Sequence, residues 1–190
     1  MLRSHLAKLG ATVAFAAAAV AAFPALAQAE ERTCRGTIGA RTVDNLRVPQ
    51  GATCNLNGTV VKGTIKVERN ATLVASSVRV VGNVQAENAT NVVVRDSSRV
   101  EGSVQVKQGG AATVKSSRIT GDIQYDANGR YLKANGNKVG GSIQVVGNTG
   151  GAEIFRNVID GNLQCKENSP RPTGGENVVG GTKEDQCRKF

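Results

Sequence analysis

Apolar and polar residues alternate in short bursts along most of this chain, as in Val104-Gln105-Val106, Ile123-Gln124-Tyr125, Ile143-Gln144-Val145 and Leu163-Gln164-Cys165. A period of two is the signature of a strand with one buried face and one wet face. Each burst follows a glycine: Gly82-Asn83-Val84-Gln85, Gly102-Ser103-Val104-Gln105, Gly121-Asp122-Ile123-Gln124, Gly141-Ser142-Ile143-Gln144 and Gly161-Asn162-Leu163-Gln164. Variants flank the series, Gly63-Thr64-Ile65-Lys66 before it and Gly181-Thr182-Lys183 after it, so successive glycines stand 19, 20, 19, 20, 20 and 20 residues apart. The apolar residue two before each glycine keeps the same beat: Val61, Val80, Val100, Ile119, Val139, Ile159 and Val179. So does the residue four after it, through Val67, Ala86, Val106, Tyr125, Val145 and Cys165. A middle apolar segment that includes Leu73, Val92, Val114, Leu132 and Ile154 lies between turn formers such as Asn88, Gly109-Gly110, Asn128-Gly129 and Gly147-Asn148.

A unit this short cannot bury its own apolar face, but units stacked at the strand spacing of about 4.8 Å turn each column into a continuous ladder. The pattern predicts an all-β fold: a single-stranded parallel β-helix of about seven coils, with about 20 residues and three short strands per coil. Left-handed β-helices follow a strict six-residue rhythm that is missing here, so right-handed coiling is expected. Tyr125 is expected to point inward. Ser169 to Gly175, with Pro170 and Pro172, is expected to interrupt the middle strand of the last coil as a loop.

Composition adds a compartment. Arg3 and Lys8 precede an apolar run from Ala11 to Ala22 that is too short to span a bilayer. Pro24 and the small-x-small triplets Ala25-Leu26-Ala27 and Ala27-Gln28-Ala29 follow. Residues 1–27 therefore read as a signal peptide cleaved after Ala27 or Ala29, which leaves residues 28–190 as one exported solenoid domain, periplasmic or extracellular, without a membrane span. The formal charge of +9 falls to +7 once Arg3 and Lys8 are removed, and His5, the only histidine, leaves with them. Metal centres and imidazole-based catalysis lose their usual ligand and base, and no cofactor motif is present.

Cys34 and Cys54 lie 20 residues apart, one period, and Cys165 and Cys187 lie 22 apart. Each pair is expected to bridge adjacent coils, where strand spacing falls within the Cα separation that a disulfide tolerates, and to pin a terminal coil.

The Gly-Asn-Val-Gln and Ser-x-Val-x-Gly columns, from Asn45 to about Gly181, resemble exported bacterial parallel β-helix proteins of unassigned function and, more distantly, the polymer-forming bactofilins. Motifs of this kind imply fold more than activity. The leader, the four cysteines and the longer coil depart from the bactofilin pattern. Mixed charge near the C-terminal end favours a monomer, and the bactofilin resemblance leaves end-to-end assembly as the alternative.

Three surface constellations follow from the stacking. Gln85, Gln105, Gln124, Gln144 and Gln164 are expected to form an outward row of amides bonded along the axis, and Ser98, Ser117, Asn137, Asn157 and Asn177 a polar column at a bend. Arg79, Arg99, Arg118 and Lys138, each three residues before a glycine, are expected to stack as a row of cations, with Glu101 supplying partial compensation to Arg99. Adjacent cations about 5 Å apart repel by roughly 1 kcal/mol per pair even in water. Such a row suits an acidic polysaccharide or another envelope polyanion. Nucleic acid fits less well, since stacking aromatics are scarce. The alternative is a carbohydrate-active β-helix, a polysaccharide lyase or hydrolase using Glu101 and Asp122, which flank the glycines of adjacent coils.

Overall fold

The computed structural model describes residues 30–190, and the signal peptide expected at residues 1–27, with its cleavage after Ala27 or Ala29, lies outside them. The described chain is all β, wound into three parallel sheets of nine, eight and eight strands. A typical coil contributes Val104–Lys107 to the first sheet, Ala111–Lys115 to the second and Arg118–Ile119 to the third. Every third strand in the sequence is a neighbour in space, so each coil hydrogen-bonds only to the coils above and below it.

The repeating glycine packs at the corner between the third and first sheets. A Cβ at Gly141 would press on Asp122 Oδ1 and lie 2.9 Å from the carbonyl oxygen of Gly121 in the coil beneath. The glycine column is therefore a close-approach requirement between stacked backbones. The residue after each glycine exploits that proximity: Asn83 Oδ1 accepts from the Ser103 amide, Ser103 Oγ from the Asp122 amide, Asp122 Oδ1 from the Ser142 amide, and Ser142 Oγ from the Asn162 amide, at 2.7–3.0 Å. Gly141→Ala should wedge two coils apart and displace the Asp122 acceptor, at a cost of about 2–3 kcal/mol read as a lower urea midpoint.

Alternation decides the core. First-sheet strands read buried, half-buried, buried, and Val104, Ile123, Ile143 and Leu163 are fully buried, as are Val106, Tyr125, Val145 and Cys165. In the second sheet the alternation yields two inward ladders. Leu73, Val92, Ala112, Leu132 and Ala152 form one, and Ala75, Val94, Val114, Ala134 and Ile154 the other. The middle segment expected from the sequence thus mixes two columns: Val114 and Ile154 stand one ladder along from Leu73, Val92 and Leu132. Residue sizes compensate within a coil, with Leu73 beside Ala75, Leu132 beside Ala134, and Ala152 beside Ile154.

The coil count is eight turns plus a ninth strand in the first sheet, one more than the glycine repeat predicts. The extra turn is the first, from Glu31 to its ladder partner Asn45, which lacks the glycine motif and is shorter than the others. At the other end, Thr173–Gly175 continues the second sheet against Glu153–Phe155, so the expected loop is confined to the residues before Thr173.

Both disulfides join adjacent coils, with Cα–Cα distances of 5.6 Å for Cys34–Cys54 and 5.2 Å for Cys165–Cys187. Neither follows the ladder. The residue in register with Cys54 is Gly36, and the one with Cys165 is Asp185. Cys34 and Cys187 leave the register at opposite ends of the stack, and both are buried. Two disulfides are consistent with an oxidising compartment outside the cytosol.

Two buried polar ladders run beneath the corners. Asn128, Asn148 and Asn168 pass side-chain hydrogen bonds along the axis to Gln186, with Nδ2 donating to the next acceptor oxygen at 2.9–3.0 Å. Each of these Nδ2 groups also donates to a backbone carbonyl, of Val106, Tyr125 and Val145 respectively. Asn137, Asn157 and Asn177 repeat the arrangement at the corner between the second and third sheets.

Candidate functional site

The third sheet has two-residue strands whose second position is buried and whose first faces water. Register places Arg79, Arg99, Arg118 and Lys138 at successive first positions, so the four cations form one exposed row, one coil apart. Arg79 is ion-paired: its Nε and a terminal nitrogen both donate to Glu101 Oε1, at 3.0 and 2.7 Å. The partner of Glu101 is thus Arg79 in the preceding coil, not Arg99 in its own, because the side chain reaches back across the strand spacing. Among the described residues, Arg99, Arg118 and Lys138 form no ion pair within 4.0 Å. At the positions equivalent to Glu101, one coil beyond Arg99, Arg118 and Lys138, stand Thr120, Gly140 and Asp160, and Asp160 is not within ion-pair distance of Lys138.

The first sheet handles charge differently. Glu87, Lys107 and Asp126 occupy consecutive rungs with alternating sign. Arg47 and Lys66 are adjacent cations there, but Arg47 is held by Glu31 and Glu68 at 2.9 and 3.3 Å. The third sheet thus carries four successive cations in register, of which Arg79 alone is ion-paired.

The glutamine row is in register from Gln85 to Gln164. Gln85 donates to Gln105 at 3.3 Å and Gln105 to Gln124 at 3.0 Å. Gln124 instead donates to Asp122 Oδ2 at 3.4 Å, and Gln164 donates to Glu184 at 3.1 Å, so the amide chain is continuous only over its first three members.

Glu101 and Asp122 occupy different columns. Glu101 follows the third-sheet strand and binds Arg79, whereas Asp122 sits in the corner ladder, where Oδ1 accepts the Ser142 amide at 2.7 Å. Both carboxylates are engaged by partners that the fold itself supplies.

A second cluster is absent from the sequence reading. On the outer face of the second sheet, the Tyr131 hydroxyl donates to Glu153 Oε2 at 3.1 Å, and Asn135 Nδ2 donates to Glu153 Oε1. Asn135 Oδ1 in turn accepts the Phe155 amide at 3.0 Å. The hydrogen bond from Asn135, with that from Tyr131 and the Lys133 charge, holds the Glu153 carboxyl below the usual carboxylate range against a partial desolvation that acts the other way. Lys133 Nζ lies 5.5 Å from the Tyr131 ring centre. No periodicity marks these residues, because the cluster occurs in two coils only.

Comparison with known protein families, with curated proteins and with solved structures returned no significant match to the chain.

Proposed function

We propose that this protein is a noncatalytic exported solenoid, periplasmic or extracellular, that binds a linear acidic polysaccharide of the cell envelope along its third sheet. Arg99, Arg118 and Lys138 supply the principal contacts, and Arg79 extends the row when the polymer displaces Glu101. The observation that carries the reading is the row itself: four cations occupy successive rungs of the third sheet, whereas Glu87, Lys107 and Asp126 alternate in sign along the first. Stacked like charges cost roughly 1 kcal/mol per adjacent pair, a cost that a bound polyanion reverses. The strand spacing is also close to the length of one pyranose unit in an extended chain, so a polymer with a carboxylate on every sugar presents its charges at the interval of the row.

The alternative is a lyase or hydrolase built on Glu101 and Asp122. Their engagement by Arg79 and by the Ser142 amide favours the binding role. The monomeric state belongs to the same proposal.

Retention on immobilised polygalacturonate tests the reading. Arg99→Gln combined with Arg118→Gln should lower the salt needed for elution well below that for wild type, while the same charge change in Lys107→Gln with Lys166→Gln on the first sheet should shift it little. Equal shifts in the two double variants would reduce the row to a contribution to net charge, and the proposal would fall.

A further inference from the structure

The residues described include four aromatic side chains, and their placement divides them sharply. Tyr125 is buried in the core and Phe190 packs partly buried against the last coil. Tyr131 and Phe155 alone stand on an outer face, both on the second sheet, in adjacent coils. Each ring is laid down over a glycine. A Cβ at Gly151, the residue opposite Tyr131, would meet the ring carbons Cδ2 and Cε2 at 3.3 and 3.4 Å. A Cβ at Gly175, in register with Phe155, would meet Phe155 Cε1 at 3.4 Å. The glycines leave room for one edge of each ring to rest against the backbone of the next coil, while Lys133 Nζ lies over the Tyr131 ring and Phe155 is half-buried. Tyr131 remains 45% exposed.

The two rings occupy columns four residues apart along the strand direction, because Asn135 is in register with Phe155. At the strand rise this separation is about 13 Å, the length of two to three pyranose units. Between them lie Glu153 and Asn135, oriented by the bonds from Tyr131 and to the Phe155 amide. Beside Phe155 a groove of about 550 Å³ continues along Ser116 and Gly136. Flat apolar platforms separated by fixed acceptors and donors suit a ligand with apolar C–H faces and equatorial hydroxyls at its edges.

We propose that the outer face of the second sheet, through Tyr131 and Phe155 as stacking platforms and Glu153 and Asn135 as hydroxyl-binding groups, is a binding site for a neutral β-1,4-linked glycan segment. Glu153 is offset by its register partner Lys133, and Arg156 by Glu176, so the site suits uncharged sugars better than uronates. The site uses none of the cations of the third sheet, so it stands or falls independently of the polyanion row.

Titration of the isotope-labelled protein with cellohexaose, followed by amide NMR, tests it. Shifts should cluster at residues 131–136 and 151–156. Tyr131→Ala and Phe155→Ala should each weaken binding by about tenfold, while Tyr131→Phe, which keeps the ring and leaves Glu153 held by Asn135, should stay within about twofold of wild type. Arg99→Gln with Arg118→Gln should leave cellohexaose binding unchanged. If cellohexaose shifts no resonance in this region, if oligogalacturonate alone does so, or if both alanine variants retain wild-type affinity, the proposal is overturned. The wild-type map and the Tyr131→Phe variant decide the matter even if an alanine variant folds poorly.

Discussion

Asn157→Leu should destabilise the solenoid by about 3–5 kcal/mol, visible as a lower urea midpoint with an unchanged slope. Asn157 is fully buried, and its Oδ1 accepts both the backbone amide and Nδ2 of Asn137, each at 3.0 Å. Its Nδ2 donates to the Ala134 carbonyl at 2.7 Å and to Asn177 Oδ1 at 2.9 Å. Leucine has a similar volume, so little of the cost arises from packing. It arises because the Asn137 amide loses its acceptor in a place that water does not reach, and a buried unpaired amide alone costs about 1–3 kcal/mol. A loss under about 1 kcal/mol would show that the corner can open to solvent and that the ladder is dispensable.

Tyr125→Ala should cost about 3–5 kcal/mol, and Tyr125→Phe about 1–2 kcal/mol. Tyr125 is the largest fully buried side chain, in a ladder otherwise filled by Val106, Val145 and Cys165. Its ring spans the interior, and the hydroxyl donates to the Lys133 carbonyl at 2.7 Å. Burial pushes the phenol far above its ordinary range, so it remains a protonated donor at any working pH. The second sheet carries alanine at 134 in the same coil and at 112 and 152 in the coils on either side, which leaves volume for the ring. The alanine variant leaves a cavity that these small residues cannot fill; the phenylalanine variant removes only the hydroxyl bond. Thermal melts of the two variants separate the terms, and equal losses would mean that the hydroxyl, and not the ring, carries the effect.

These two residues also show what was legible in the chain. The column of Tyr125 was readable because each strand follows a glycine at a constant offset, and the same offset placed the four cations of the third sheet. Reading failed where the offset drifts. Coils containing Leu132 and Ala152 carry one more residue between the glycine and the second sheet than coils containing Leu73 and Val92. The drift hides the place of Ile154, whereas Val114 sits in a coil of unshifted offset and stands out there because the true ladder occupant, Ala112, is small. The first coil is silent in the repeat for a related reason: it is short and lacks the glycine. Asn128, Asn148 and Asn168 carried the composition of a surface turn, and only the geometry shows them buried and bonded along the axis. The Tyr131–Glu153–Phe155 cluster had no repeat to reveal it, since its logic lies in glycines one coil away.

The two cysteines that depart from register set how the molecule opens. A stack whose coils touch only nearest neighbours frays from its tips, and a covalent clamp on each terminal coil blocks the easiest route. With thiols reduced, amide hydrogen exchange should quicken first in the outermost turns and travel inward, while the central coils keep their protection until the fraying reaches them. The clamps thus act as end stops on a zipper, and the lifetime of the whole rod in a protease-rich setting is governed at its two tips.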